Sequence, residues 1–95
     1  CGGITGFLRV AALCETFGLP LSSHCAPSIH AHLGCTCARM RHAEYFHDHV
    51  RIEALVFEGT LVPDGGRLRP HVDRPGMGIE LDRRRAERFR IGTAK

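Results

Sequence analysis

The chain has 95 residues, of which 43% are hydrophobic and 24% charged, a composition that predicts one small domain at most and excludes a wholly disordered chain. It has no Trp, five Phe and one Tyr, so few large side chains are present to build a self-sufficient core. Thirteen basic and ten acidic residues give a net charge of +3, concentrated in the run RRRAERFR. We expect this run to form a solvated helix face, and the mild excess predicts no nucleic-acid partner.

No stretch approaches the roughly 18 apolar residues of a membrane span, and the N-terminus lacks the basic and apolar regions of a signal peptide, so no membrane partner is expected. Five cysteines without a framework spacing predict reduced thiols and a cytoplasmic protein. The chain begins at Cys1, and the opening CGGITG is typical of the middle of a protein. We therefore expect a fragment.

The first half of the chain alternates predicted helices and strands. Apolar residues recur at helical spacing over residues 5–17, with Thr5 as the N-cap and Gly18 ending the helix in a left-handed turn. Residues 19–23 predict a short buried strand, residues 28–39 a second helix and residues 42–46 a second strand. This rhythm, with its short connections, is typical of an α/β protein with parallel strands.

The second half has a different pattern. VRIEALVFEG, residues 50–59, alternates with period two, which predicts a strand. PDGG predicts a tight turn within a hairpin, and RPGMG a second turn. The short strand IEL then precedes a final helix capped by Asp82. The change divides the chain into residues 1–48, an incomplete α/β portion, and residues 49–95, an antiparallel tail.

A zinc site is one candidate for chemistry in this chain. His30, His32, Cys35 and Cys37 form the pattern H-x-H-x-x-C-x-C, and zinc favours four Cys and His ligands. The pairs are separated by a single residue, however, and on a helix such residues point about 200° apart. A small metal-binding or interaction module using these four residues is therefore the alternative interpretation, and helical packing positions are the preferred one.

A histidine and a glutamate at the ends of predicted strands are the second candidate. His24 follows the strand 19–23, and Glu44 lies in the strand 42–46. Catalytic groups project from this end of the strands in α/β barrels, so the two side chains are expected to stand side by side. A histidine–carboxyl pair suits proton transfer near neutrality, with a structural histidine and an incidental glutamate as the alternative. We interpret Cys25, whose neighbour His24 points to the opposite face of an extended chain, as an inert thiol.

Four stretches carry a family resemblance: CGGITGFLRVAALCETFGLPLSSH, AHL, HAEYF and RPGMGIEL. In this order and spacing they closely resemble the C-terminal part of enolase-superfamily enzymes of the mandelate racemase type, over residues 1–91. The resemblance implies an α/β fold, the last two strand–helix units of a modified TIM barrel. It also implies that the tail packs back on that barrel and on a capping domain.

The resemblance implies roles for two residues. His24 matches the catalytic histidine that ends the seventh strand, and acts as general base or acid. Glu44 matches the glutamate that ends the eighth strand and donates a hydrogen bond to the substrate carboxylate, as an acid kept protonated by an apolar site can do. The family's magnesium ion is held by three carboxylates, which are expected before Cys1, as is the aspartate that orients the histidine. Ala43 replaces a larger apolar residue, which is expected to enlarge the pocket.

The implied activity is magnesium-dependent removal of a proton alpha to a carboxylate, through an enediolate. Histidine rather than lysine at position 24 favours acid-sugar dehydratases and hydroxy-acid racemases over dipeptide epimerases and muconate cycloisomerases. The expected substrate is a small carboxylate, a sugar acid or a hydroxy acid. We expect the full-length enzyme to be a homo-oligomer and these 95 residues alone to be inactive.

Overall fold

The computed structural model describes residues 1–92 and contains four helices and four short strands there. In chain order they are α1 (Gly3–Thr16), β1 (Leu21–Ser23), α2 (Pro27–Gly34), β2 (Met40–Ala43), α3 (His47–Val56), β3 (Phe57–Glu58), β4 (Glu80–Leu81) and α4 (Arg83–Glu87). β1 pairs with β2 in parallel, and β3 pairs with β4 in the antiparallel sense. The predicted α/β class with a parallel pair and an antiparallel tail is confirmed, and the described residues form no closed barrel.

The start of α1 differs from the prediction. The N-cap is Gly2, not Thr5, and Gly2 and Gly3 both have positive φ angles, of 82° and 70°. Glycine adopts this left-handed conformation without a Cβ penalty, so the chain enters the helix there and Thr5 lies inside it. Gly18, with φ of 66°, ends the helix in the left-handed turn that was predicted.

The predicted boundaries of α2 and β2 are also wrong. α2 ends at Gly34 rather than at residue 39, and two tight turns follow, in which Cys37 N donates to Gly34 O (3.2 Å) and Met40 N donates to Cys37 O (3.0 Å). These turns let the strand begin at Met40, two residues before the predicted start. Glu44 therefore lies just beyond the strand rather than inside it.

The core of the described residues lies between α1, β1 and α2. Phe7, Leu21 and Leu33 are buried against one another, one from each of these elements. Five partly buried residues pack around them: Ala11, Cys14, Ile29, Cys37 and Met40. The apolar sides of α1, β1 and α2 therefore pack together in one small cluster.

The predicted strand over residues 50–59 is wrong, since α3 occupies His47–Val56 and only Phe57 and Glu58 form a strand. Val50, Glu53 and Val56, spaced three apart, are half-buried, whereas Ile52 is exposed, so the burial follows the helical period. Glu53, Ala54 and Leu55 are strong helix formers. The strand prediction rested on the alternation of apolar residues and did not take this propensity into account. The division at residues 48 and 49 falls within α3 and stays a prediction.

Ser28 links the first helices to the second half of the chain. Its side chain is fully buried, donates a hydrogen bond to Glu53 Oε2 (3.1 Å) and accepts one from Leu61 N (3.2 Å). The Ser28 hydroxyl thus makes two hydrogen bonds, one to a carboxylate on α3 and one from a backbone amide that follows β3. This pairing holds α3 against α2 through Glu53.

Replacing Ser28 with Ala is expected to lower the free energy of unfolding by ~1–3 kcal/mol, because the buried Leu61 N–H is left without an acceptor. Urea denaturation of the chain measures the loss. The matched control is Ser22→Ala, because the exposed Ser22 hydroxyl bonds to the exposed His42 ring (3.1 Å) and its loss is expected to cost less than ~0.5 kcal/mol. Equal losses for the two variants would contradict this account.

The turns of the tail follow the glycine pattern. Asp64 and Arg67 exchange backbone hydrogen bonds of 2.9 and 3.0 Å across Gly65 and Gly66, whose φ angles of 54° and 75° fit a two-residue hairpin turn. The predicted hairpin is reduced to this one bridge within residues 1–92. Asp82 caps α4 as predicted, since its Oδ1 accepts from Arg85 N (2.9 Å).

None of the described helices has the length and apolar character needed to cross a membrane.

Candidate functional site

The parallel pairing of β1 and β2 places His24 and Glu44 together. Ser23 is in register with Ala43, so the residues that follow them, His24 and Glu44, leave the same edge of the sheet side by side. His24 Nε2 lies 4.0 Å from Glu44 Oε2. The His24 side chain is 90% exposed and that of Glu44 43%, so both are open to a bound molecule. The predicted neighbourhood is present, while the chemical roles of the two residues stay predictions.

Cys25 is the site residue that the sequence interpretation missed. It has a left-handed backbone with φ of 54°, and Ala26 follows with φ of 41°. The backbone N–H of Cys25 donates to Glu44 Oε2 (2.9 Å), and its Sγ lies 3.6 Å from that oxygen and 3.5 Å from His24 Nε2. The expectation that Cys25 and His24 point to opposite faces is wrong, because it holds only for an extended chain.

No local signal in the sequence marks this turn, because cysteine and alanine do not favour positive φ angles. Only three residues, His24 to Ala26, connect the end of β1 to Pro27, the first residue of α2. Within this link the chain turns from strand to helix through an unusual backbone conformation. The left-handed pair at Cys25 and Ala26 supplies it, at the cost of placing non-glycine residues where φ is positive.

His30 holds this turn in place from α2. Its Nδ1 lies 2.8 Å from Cys25 O and 3.1 Å from Ala26 O, so a proton on Nδ1 is donated to these carbonyls. Its ring also packs on Phe7, with ring centroids 5.0 Å apart. These contacts of His30 hold the turn that carries Cys25 in place.

The pKa of the Glu44 carboxyl is held below its usual value, chiefly because the Cys25 N–H donates to the carboxylate. This effect outweighs partial burial, which raises the pKa, and the charges of His24 and His49 lower it further. The direction of this shift favours the carboxylate form in this chain, whereas the proton-donating role that the resemblance implies for Glu44 stays a prediction. The pKa of the Cys25 thiol is raised by its burial and then by its contacts with Glu44.

The four residues of the alternative zinc pattern do not converge. His30 is used by the turn, Cys35 Sγ donates to Ala31 O (3.2 Å), and Cys37 Sγ donates to Leu33 O (3.1 Å). Within residues 1–92 the one group of three metal-capable side chains is His24, Cys25 and Glu44, whose ligand atoms all lie within 4.8 Å of one another. The helical interpretation holds for His30 and His32 and is wrong for the two cysteines, because α2 ends at Gly34 and both Cys35 and Cys37 lie beyond it.

An open, largely apolar cleft of about 510 Å³ begins beside His24. Its walls come from α1, β1 and α2 and include Ile4, Phe7, Leu21 and Ile29. A cleft of this size can accept a small molecule, with His24 at its edge. Of the three polar residues at the strand ends, His24 lines this cleft, whereas Cys25 and Glu44 do not.

The residues at the strand ends do not fit magnesium. Magnesium takes oxygen ligands in near-octahedral geometry, whereas the group at this edge offers one carboxylate, one imidazole and one thiol. The described residues therefore do not supply a magnesium site of their own.

The chain is similar to several known proteins. Residues 1–86 match the family described as enolase C-terminal domain-like. A crystal structure of a mandelate racemase/muconate lactonizing enzyme-like protein from Rubrobacter xylanophilus shares 55% sequence identity and superposes with a TM-score of 0.87, over 93% of this chain and 24% of that one.

Curated relatives are enzymes. A 3,6-anhydro-alpha-L-galactonate cycloisomerase of Streptomyces coelicolor is 36% identical over 96% of this chain and 24% of its own length. An L-Lys-D/L-Arg epimerase of Methylococcus capsulatus is 33% identical over 83% of this chain and 23% of its own. A probable glucarate dehydratase of Streptomyces coelicolor is 34% identical over 88% of this chain and 20% of its own.

The chain spans about a quarter of the length of these relatives. The family match covers most of the 95 residues and includes both strand ends that carry His24 and Glu44. The structural similarity extends over nearly the same residues and agrees with the resemblance seen in the sequence. The chain therefore belongs to the enolase C-terminal domain-like family, as a mandelate racemase and muconate lactonizing enzyme-like member.

Proposed function

We propose that the chain is the C-terminal part of an enzyme that removes the proton alpha to the carboxylate of a sugar acid or hydroxy acid, and then dehydrates or racemises it. The observation that carries this proposal is the placement of His24 and Glu44 at adjacent ends of two parallel strands, 4.0 Å apart. The family match and the names of the relatives support the class of reaction.

His24 is proposed to move the proton. An imidazole titrates close to neutrality, so it can take a proton from the alpha carbon or give one to a leaving hydroxyl. Its side chain is 90% exposed beside the apolar cleft, which leaves it accessible to a bound substrate. The alpha proton is then transferred to Nε2 or Nδ1, and the electron pair of the C–H bond forms the enediolate.

Glu44 is proposed to bind the substrate carboxylate. In the structure its carboxyl favours the ionised form, because Cys25 N–H donates to it and holds its pKa low. An incoming substrate carboxylate places a second negative charge beside Glu44, and a like charge raises the pKa of a carboxyl group. We propose that Glu44 takes up a proton as the substrate binds and donates it in a hydrogen bond, which stabilises the enediolate.

Magnesium dependence is part of the proposal. Enolase-superfamily enzymes generally use Mg²⁺, and we propose that its carboxylate ligands lie outside this chain. When bound, the ion supplies electrostatic stabilisation of negative charge on the substrate.

We also propose that the full-length enzyme is a cytoplasmic homo-oligomer, as expected from the sequence.

The identity of residue 24 as a histidine is the basis on which we propose dehydration or racemisation within this class of reaction. An epimerase and a cycloisomerase are among the relatives, with identities of 33% and 36% close to the 34% of the dehydratase. Overall similarity therefore does not separate the branches of the family. The histidine at the end of β1 favours dehydration or racemisation.

A panel of sugar acids and hydroxy acids tests the proposal. We expect the full-length enzyme with magnesium to convert at least one of them, either to a dehydrated keto acid detected by mass spectrometry or to its epimer detected by circular dichroism. The 95-residue chain alone serves as the control and is expected to convert none, since its described residues supply no magnesium site. No conversion of any member by the full-length enzyme, or conversion by the chain alone, would contradict the proposal.

A further inference from the structure

We propose that His24, Cys25 and Glu44 form a binding site for a thiophilic divalent cation, zinc or cobalt, at the C-terminal ends of β1 and β2. The site goes beyond the proposed function, because it uses Cys25, to which that function assigns no part. It also differs from the four-residue zinc pattern of the sequence, since none of its ligands belongs to that pattern.

The separations of the three ligand atoms support a tetrahedral centre. Typical zinc bond lengths and a tetrahedral angle give separations of about 3.6 Å for sulfur to nitrogen, about 3.6 Å for sulfur to oxygen and about 3.4 Å for nitrogen to oxygen. The structure has 3.5 Å from Cys25 Sγ to His24 Nε2, 3.6 Å from Sγ to Glu44 Oε2 and 4.0 Å from Nε2 to that oxygen. Only the last distance must contract, and the exposed His24 ring is free to move.

The protein backbone prepares this arrangement without the cation. The left-handed conformation of Cys25 turns its thiol toward the strand ends, and His30 Nδ1 holds the Cys25 carbonyl at 2.8 Å. The Cys25 N–H fixes the Glu44 carboxylate at 2.9 Å, as an outer hydrogen bond fixes a metal-ligating carboxylate. The three donors thus come from two strand ends and one held turn.

The donor set determines which cation binds. Thiolate and imidazole suit zinc and cobalt, and magnesium prefers oxygen alone. On binding, the thiol proton of Cys25 is released to solvent and the sulfur lone pair forms the metal bond. Three protein ligands leave a fourth position for water on the exposed side of the site. A thiophilic cation here would occupy the atoms of His24 and Glu44 that the proposed reaction uses.

Titration of the purified chain with Co²⁺ tests the site, in a Cys1→Ser background that removes the exposed terminal thiol. We expect one equivalent to bind with a thiolate-to-cobalt absorption band that Zn²⁺ abolishes and excess Mg²⁺ leaves unchanged. Cys25→Ser is expected to lose the band. His24→Ala removes a ligand of the cation. Loss of a residue that only hydrogen-bonds to a metal ligand typically lowers the affinity ~10- to 100-fold, so the loss in His24→Ala is expected to be larger. Cys35→Ser is the matched control and is expected to keep the wild-type band.

A band that persists in Cys25→Ser, or one that Cys35→Ser removes, would overturn the proposal, as would the absence of any thiolate band. Far-ultraviolet circular dichroism checks that each variant is folded. If Cys25→Ser does not fold, His24→Ala decides, because its side chain is 90% exposed and its removal is not expected to disturb the fold. Unchanged affinity in His24→Ala would then reject the site. Cation binding is measured on the chain without substrate, so its failure and the failure of the proposed function are separate results.

Discussion

The kcat of the full-length enzyme carrying His24→Asn is expected to fall by ~10²- to 10⁴-fold, which is the contribution typical of a positioned general acid or base. Asparagine keeps a polar side chain of similar size but cannot take up the alpha proton. Because His24 follows β1 and is not part of the buried core of α1, β1 and α2, we expect the fold to be unchanged. Steady-state turnover of the substrate identified in the panel measures the loss, and magnesium binding, measured by calorimetry, is expected to stay close to that of the unmodified enzyme.

His47→Asn is the matched control for this variant. The His47 side chain is 87% exposed, and its ring lies 3.4 Å from Asp48 Oδ1 on the first turn of α3, so it has similar exposure and the same chemistry. Its kcat is expected to equal that of the unmodified enzyme. Loss of magnesium binding in His24→Asn would contradict the assignment, because the effect would then arise from the metal site rather than from proton transfer.

Glu44→Ala is expected to lower kcat by ~10²- to 10³-fold, the loss typical when one hydrogen-bond donor to a developing oxyanion is removed. Glu44→Gln is expected to lose less, because its amide keeps a neutral N–H donor and an oxygen that accepts the Cys25 N–H. The ratio of the two losses tests whether the group acts as a neutral donor, and steady-state kinetics measures it.

Glu87→Ala is the control for the glutamate variants, since Glu87 pairs with Arg90 (2.9 Å) at the surface and its removal is expected to leave kcat unchanged. Equal losses in Glu44→Gln and Glu44→Ala would show that the ionised carboxylate is required. The protonation of Glu44 on substrate binding would then be rejected, while the proton-transfer role of His24 would not be affected.

The sequence was sufficient to predict that His24 and Glu44 lie next to each other, because their placement follows from local pattern. Short apolar strands alternating with helices indicate parallel pairing, and parallel pairing brings consecutive strand ends to one edge. His24 and Glu44 are therefore neighbours even though β2 begins two residues before its predicted start. The glycines of the PDGG turn were equally predictable, because positive φ angles at Gly65 and Gly66 are a local property of that residue type.

The features that the sequence did not reveal depend on distant contacts. Cys25 joins the site because the backbone is left-handed at Cys25 and Ala26, and His30 Nδ1 holds the resulting turn. The helix over His47–Val56 brings Glu53 to 3.1 Å from the Ser28 hydroxyl, a contact that the local pattern does not show. Apolar alternation over ten residues fitted a strand as well as a helix, although Glu53, Ala54 and Leu55 are strong helix formers.

Exchange of the substrate alpha proton with deuterated solvent tests the central claim most directly, because it reports proton removal alone, whether dehydration or racemisation follows. Proton NMR of the full-length enzyme with its substrate in D₂O follows the disappearance of the alpha-proton signal. We predict that the unmodified enzyme and His47→Asn exchange this proton, and that His24→Asn does not, with magnesium bound in all three. Exchange by His24→Asn at the rate of the unmodified enzyme would contradict the account.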